Sequence, residues 1–397
     1  MILFGKLPQI ENGTRWYVFT ICYIWLCSYF STFWRRLGIP DANVPNLIVI
    51  LLLLLFSRIV WSRRIRISDF IFYLAISFAY FACSIVYPNT ESYLSEYAFT
   101  VICCTFPYIF IGEIFKVKNY EGWLTIASWF AVILNIALVF LRSGSDNDST
   151  DESMHRAYAL LPSVLFLFWQ FIENKKLIDL FFSVIGLFLV SSMGSRGPIV
   201  CFLFFASCYF FFFRDYRYPK FARSAIVLVS ILLLNTSQYL AEFMILLLSK
   251  FGMSTRIFDK MLNDAFLNYE ASSGRDDLHR VLLQTLNNDS NGFGFGLFAD
   301  RITVDWYSHN LFVELWFSFG YVIGSLIIAM LLLLITIFFI KVKDREKRIF
   351  AILFFSISFV KLQFTASFIT DTSLFFLIGY CIYGIREAKL EQSDYLY

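Results

Sequence analysis

The chain has 397 residues and a formal net charge of +3, with 58% apolar and only 16% charged residues, against about 45–50% and about 25% in soluble proteins. Phe, Tyr and Trp contribute 49, 22 and 9 residues, more apolar surface than one water-soluble core hides. A soluble enzyme, a disordered chain and a secreted disulfide scaffold are excluded, the small charge gives no argument for nucleic acid, and a polytopic membrane protein remains.

A hydrocarbon core of about 30 Å needs about 20 apolar residues per helix. On that measure the sequence predicts an all-α polytopic membrane protein with about twelve spans, at 14–34, 44–61, 68–87, 97–115, 121–141, 157–172, 177–193, 197–213, 224–248, 309–340, 349–366 and 371–385. The first apolar run begins near Trp16 and continues past any small-residue cleavage site, so it reads as a span rather than a signal peptide. The stretch 309–340 is too long for one straight helix, and Gly320 and Gly324 are expected to mark where a short interfacial helix meets the true span. All eight cysteines lie inside apolar stretches, where they read as small hydrophobes rather than as a disulfide framework or zinc site. One membrane domain over 1–397 is expected, with a single large loop over 249–308.

Lys and Arg set the orientation. With both termini in the cytoplasm, the inner segments hold 21 Lys and Arg, and the outer segments hold five once the long loop is set aside. The main dissenter is Arg35-Arg36. This topology places all three histidines (His155, His279 and His309) on the outer face, together with the acidic segment from Ser143 to Glu152. Asp146-Asn147-Asp148 has the spacing of a metal-binding D-x-D, but its Ser-rich acidic surroundings read as a solvated loop.

Chemistry-bearing residues follow in chain order. His155-Arg156 opens the span at 157. Ser195-Arg196-Gly197-Pro198 is a punctuated junction between two spans, with Pro198 suited to a first helical turn. In the long loop, Arg256 to Phe266 has apolar residues at helical spacing, and Ser272-Ser273-Gly274-Arg275-Asp276-Asp277 reads as a helix start. Arg275 and the free N–H groups of that first turn present positive potential, and Arg280 follows one turn on. Gly292, Gly294 and Gly296 alternate with Phe, a pattern for a tight turn where backbone approaches either a ligand or another backbone segment. Ser308-His309-Asn310 re-enters the bilayer, with Glu314 about one turn later. An imidazole at a water–lipid boundary suits proton transfer, although the same residues also suit a helix-capping cluster. Convergent arginines suit phosphate oxygens. Lys361 and Glu242, ionisable and within or beside spans, are suspects on that ground alone, and Lys361 equally suits neutralising a partner carboxylate.

Ser195-Arg196-Gly197, then Ser273-Gly274-Arg275, Gly292 to Gly296, and Ser308-His309-Asn310-Leu311-Phe312-Val313-Glu314 occur in this order over about 190–325. That series resembles the O-antigen polymerase and O-antigen ligase superfamily of bacterial inner-membrane glycosyltransferases; the first half of the chain matches it mainly in span number and aromatic richness. The resemblance implies transfer of a glycan from undecaprenyl diphosphate to a sugar hydroxyl at the periplasmic face; arginines that stabilise the leaving diphosphate would do so without an obligatory metal, and no other cofactor is expected. It assigns Arg196 and Arg275 to the diphosphate and His309 to the essential histidine; Arg156 and Arg280 join the diphosphate set, and Glu314 joins His309 as a candidate base. Expected partners are lipid-linked donor and acceptor glycans, the bilayer and a chain-length regulator protein. The Phe-rich composition favours a polymerase over a ligase. A lipid-linked sugar flippase, the rival from another class, would be expected to show repeat symmetry and intramembrane charges; no internal repeat is visible in the sequence.

Overall fold

A computed structural model describes residues 67–115, 121–141, 150–193, 196–213, 275–289 and 292–394, with isolated helical residues at 22–23, 25–26, 48–49, 242, 245–246 and 249–250. The described residues are helices and their connections, with no strand among them. In chain order the helices are α1 (Ile67–Val86), α2 (Glu91–Ala98), α3 (Tyr108–Ile114), α4 (Glu121–Leu141), α5 (Thr150–Asn174), α6 (Leu177–Ser192), α7 (Arg196–Phe212), α8 (Arg275–Asp289), α9 (Ala299–Val304), α10 (Leu311–Lys341), α11 (Arg345–Phe355) and α12 (Thr372–Asp394). Three continuous helical stretches among the described residues, Pro88–Gly112, Glu121–Leu138 and Leu311–Lys341, are long and apolar enough to cross a membrane. The expected spans 14–34, 44–61 and 224–248 lie almost wholly outside the described residues, as does the Arg256–Phe266 run.

Several expected spans coincide with helices to within one or two residues, notably 68–87, 121–141, 177–193 and 197–213. Others differ for identifiable reasons. The span expected at 97–115 begins earlier, at Pro88, because Glu91, Ser92, Ser95 and Glu96 take the exposed side of α2 while Leu94 is buried. It then widens into a π-helical turn over Phe99–Thr105 before α3. The helix expected at 157–172 runs from Thr150 to Asn174, and the one at 371–385 runs from Thr372 to Asp394. The span at 349–366 is not one helix. It breaks after Phe355 into short wide and tight turns, and Lys361 meets Asp371 at 2.6 Å across the bend. A lysine inside an apolar run with a carboxylate partner ten residues on is satisfied by folding the chain back.

The contacts gather the chain into two compact units: residues Met1–Ile126 with Asp277–Tyr397, and residues Ala127–Asp276. In the first, α12 crosses α3 where Gly379 and Gly112 face the other helix's backbone: a Cβ on Gly379 would stand 1.9 Å from the Ile109 carbonyl oxygen, and one on Gly112 2.2 Å from that of Phe376. Small residues at such crossings let helices pack closely in a lipid solvent that supplies no hydrophobic drive between them. Below the crossing Phe354 and Phe376 stack at 4.0 Å, with Phe350, Phe115 and Tyr380 around them. In the second unit α5 packs on α6 around the buried Phe166 and Trp169; there Trp129 Nε1 donates to Asp179 at 3.0 Å and Tyr209 donates to Glu173 at 2.7 Å.

Helix α10 is broken as expected. Gly320 has φ 77° and ψ 165°, so the helical run divides there into Leu311–Phe319 and Tyr321–Lys341. At about 1.5 Å per residue the second part alone matches a hydrocarbon core of about 30 Å. A break strands the last carbonyls of the preceding turn. Here the Gly-rich turn satisfies them: the N–H groups of Phe295 and Gly296 donate to the carbonyls of Phe317 and Ser318, both at 2.9 Å. Gly292, Gly294 and Gly296 all have positive φ. A Cβ on Gly294 would fall 2.4 Å from the Gly320 nitrogen, and one on Gly320 2.1 Å from the Gly292 oxygen. Of the two uses foreseen for these glycines, the backbone they approach is the chain's own.

Candidate active site

The segment from Ser308 to Asn310 connects α9 to α10 and is pinned on both sides of His309. Before it, Ser308 is fully buried, its N–H donates to Asp300 Oδ2 at 2.8 Å, and its carbonyl accepts from His279 Nε2 at 2.6 Å. After it, the Asn310 side chain caps α10 by accepting from the N–H groups of Phe312 and Val313 at 2.9 and 3.2 Å. Asn is a favoured cap because its short carbonyl reaches the orphan donors of the first turn. Between the clamps His309 takes a left-handed backbone, φ 55°. For a residue with a Cβ this conformation costs on the order of 1 kcal/mol and persists only where the surroundings over-determine it. Asp300 and the Asn310 cap supply that determination.

His309 is 7% exposed. Trp306 Nε1 donates to its Nε2 at 2.5 Å, and the Tyr307 ring lies 4.0 Å from the imidazole, centre to centre. An indole N–H is a donor only, so Nε2 carries the lone pair and the proton of the neutral ring sits on Nδ1. His279 has the other arrangement, with its proton on Nε2, because a carbonyl can only accept. Tyr307 is tied through its hydroxyl to Thr365 at 3.5 Å.

Asp300 is 3% exposed and also accepts from the Arg301 N–H at 3.0 Å. Burial pushes its carboxyl above the ordinary range, against the two N–H groups and the Arg301 guanidinium that favour the charged form. That guanidinium lies 4.6 Å from the ring centres of both Tyr97 and Phe298, a cation held over two aromatic faces. Residues 297 and 298, although in the stretch expected to be a loop, are core: they pack with Tyr80, Leu94, Phe106 and Phe375. Leu282 and Leu286 of α8 pack with Val313 and Phe317 of α10. The described end of the loop is thus a folded layer that grips the head of α10.

Glu314 is 4% exposed and both its oxygens are engaged. Oε1 accepts from the Ser367 hydroxyl in a very short contact, and Oε2 accepts from the Phe368 N–H at 3.0 Å. The carboxylate therefore holds the turn before α12 to the first turn of α10.

Arg280 belongs to the same unit. It is exposed and meets Asp277 of its own helix at 3.4 Å, a surface pair worth little to stability. Arg156, Arg196 and Arg275 belong to the other unit. Arg156 lies on α5 at 8% exposure, Arg196 is the first residue of α7 with Pro198 in its first turn, and Arg275 is the half-buried first residue of α8, where Ser-Gly-Arg predicts a helix start. Among the described residues no cluster of three or more His, Cys, Asp or Glu side chains is placed to hold a metal ion.

Sequence reasoning missed Asp300, Trp306 and the structural use of His279. The available signal was Trp306-Tyr307, an aromatic pair directly before Ser308-His309. The chain matches no protein-family model, no characterised protein and no solved structure.

Proposed function

We propose that the chain is a polymerase of lipid-linked oligosaccharide repeat units, an O-antigen polymerase of the bacterial inner membrane working at the periplasmic face. In this reading a hydroxyl oxygen of one lipid-linked unit attacks the anomeric carbon of the glycan on another. The bond to undecaprenyl diphosphate breaks with its electron pair on the diphosphate, and the hydroxyl proton passes to His309. The observation that supports it best is the state of His309: a buried imidazole with its lone pair fixed on Nε2, on backbone clamped from both sides, at the head of a helix apolar enough to cross a membrane. A fixed base of this kind suits general base catalysis.

The leaving group needs its developing charge stabilised, and Arg196 and Arg275, with Arg156 and Arg280, are assigned that task. Arg280 would exchange Asp277 for a phosphate oxygen. Glu314 is assigned to holding Ser367 and Phe368, whose donors its two oxygens bind. A chain-length regulator is the protein partner the reading implies.

The test is the lipopolysaccharide pattern of a strain lacking the chain. Core carrying a single repeat unit is the expected result. Bare core with finished polymer left on the lipid carrier would make the protein a ligase, and unaltered polymer would refute both.

A further inference from the structure

We propose that Trp306 is a cap on His309: its indole N–H covers the Nε2 lone pair until the acceptor sugar hydroxyl displaces it. The inference rests on the polymerase reading and adds to it a device against hydrolysis. His309 accepts at Nε2 from Trp306 at 2.5 Å, and an atom that already accepts a hydrogen bond there cannot take the acceptor's proton. One of the two partners must therefore move before the reaction.

The surroundings say which one. His309 is buried, and the residue before it, Ser308, is held at both its N–H and its carbonyl, by Asp300 and His279. Trp306 is 48% exposed, in the turn after α9, next to Asp305, which also takes a left-handed backbone. Its ring leans on Tyr307, 15° from parallel with centres 6.2 Å apart, a contact it can slide along or leave. Displacement moves the tryptophan and leaves the base in place.

The chemistry gives the cap a purpose. A glycosyl diphosphate activated for attack by a sugar hydroxyl is equally open to water, which would add its oxygen to the anomeric carbon, give its proton to the same base and release free glycan. Excluding that side reaction is a standard need of transferases. A water molecule has one oxygen and no further contacts with which to displace an indole held by stacking and a hydrogen bond; an acceptor glycan can offset that loss with its own contacts.

The test uses full-length protein in lipid nanodiscs with extracted lipid-linked repeat units, scoring chain extension and released free glycan separately. Trp306→Phe keeps an aromatic ring to stack and removes the N–H; Trp306→Leu is run beside it in case the smaller phenyl ring misplaces the turn. The expected result is a ratio of release to extension raised about tenfold in either variant, returning to background when His309→Ala is added. A ratio unchanged in both variants while wild-type protein extends chains would overturn the cap and leave the polymerase reading standing. Wild-type protein that neither extends nor releases glycan would overturn the polymerase reading itself, and the cap with it.

Discussion

On the N-terminal side of Gly320, helix α10 buries Leu311, Val313, Glu314, Leu315, Phe317 and Ser318. On the C-terminal side Val322, Leu326, Met330, Leu333 and Ile340 are each more than half exposed, at spacings that put them along one stripe of a helix. The sequence reads both sides as one apolar run, yet they live in different solvents. The first part is surrounded by protein and carries the buried Glu314, engaged by Ser367 and Phe368; the second turns a stripe of apolar side chains suited to lipid outward. Polar atoms are tolerated at membrane depth only where protein supplies their hydrogen bonds, so the residues with chemistry concentrate in the short gripped part.

That contrast can be broken most forcefully at Glu314. Glu314→Leu leaves the Ser367 hydroxyl and the Phe368 N–H buried without their acceptor, and we expect a loss of about 3–5 kcal/mol, read as a large fall in thermal unfolding temperature in detergent. Glu314→Gln, which keeps a carbonyl oxygen, should lose much less and retain turnover; loss of turnover in stable Gln protein would return Glu314 to the list of bases.

Gly320→Ala comes next. A Cβ there meets the Gly292 oxygen at 2.1 Å on a backbone of positive φ, for an expected cost of about 1–3 kcal/mol. Wild-type stability in this variant would show that the break in α10 is not held by the Gly-rich turn.

Asp300 sharpens the comparison on the loop side. Asp300→Ala removes the acceptor for the Ser308 N–H and should cost about 1–2 kcal/mol and most of the turnover. Asp300→Asn should lose less of both, because its amide oxygen still accepts from the Ser308 N–H and burial already favours a neutral group, while the Arg301 N–H loses its acceptor. Equal loss in both variants would mean that the charge, not the bond to Ser308, is what matters.

The smallest effect belongs to the exposed stripe. Leu326→Val and Met330→Leu should stay within about 0.5 kcal/mol of wild type, and a loss of several times that would mean that this face packs against protein.

Much of this was legible in the sequence, for physical reasons that also explain the misses. Uninterrupted apolar runs such as 68–87 and 121–141 announce their helices, and a glycine inside an overlong run announces the break at 320. Ser-Gly before Arg275-Asp276-Asp277 reads as a helix start because helix starts have their own chemistry, and the chain is helical from Arg275 on. What stayed hidden depends on partners distant in the chain. Lys361 interrupts an apolar stretch, but only the fold pairs it with Asp371 and so bends the backbone. Asp300 and Arg301 look like two solvated charges of an outer loop; one is buried under Ser308 and the other lies over two aromatic rings. The glycines 292 to 296 could equally have faced a ligand, and their true counterpart, Gly320, lies more than twenty residues away.

The central claim is that His309 takes the proton of the attacking hydroxyl, and the most direct measurement is His309→Gln in purified protein with lipid-linked repeat units, scored separately for donor binding and for chain extension. Gln can still accept a hydrogen bond from Trp306 but cannot accept a proton at neutral pH. The account predicts donor binding close to wild type with extension reduced on the order of a hundredfold or more. Near-normal extension by the Gln variant would contradict it, leaving His309 as a residue that positions substrate and placing the base elsewhere.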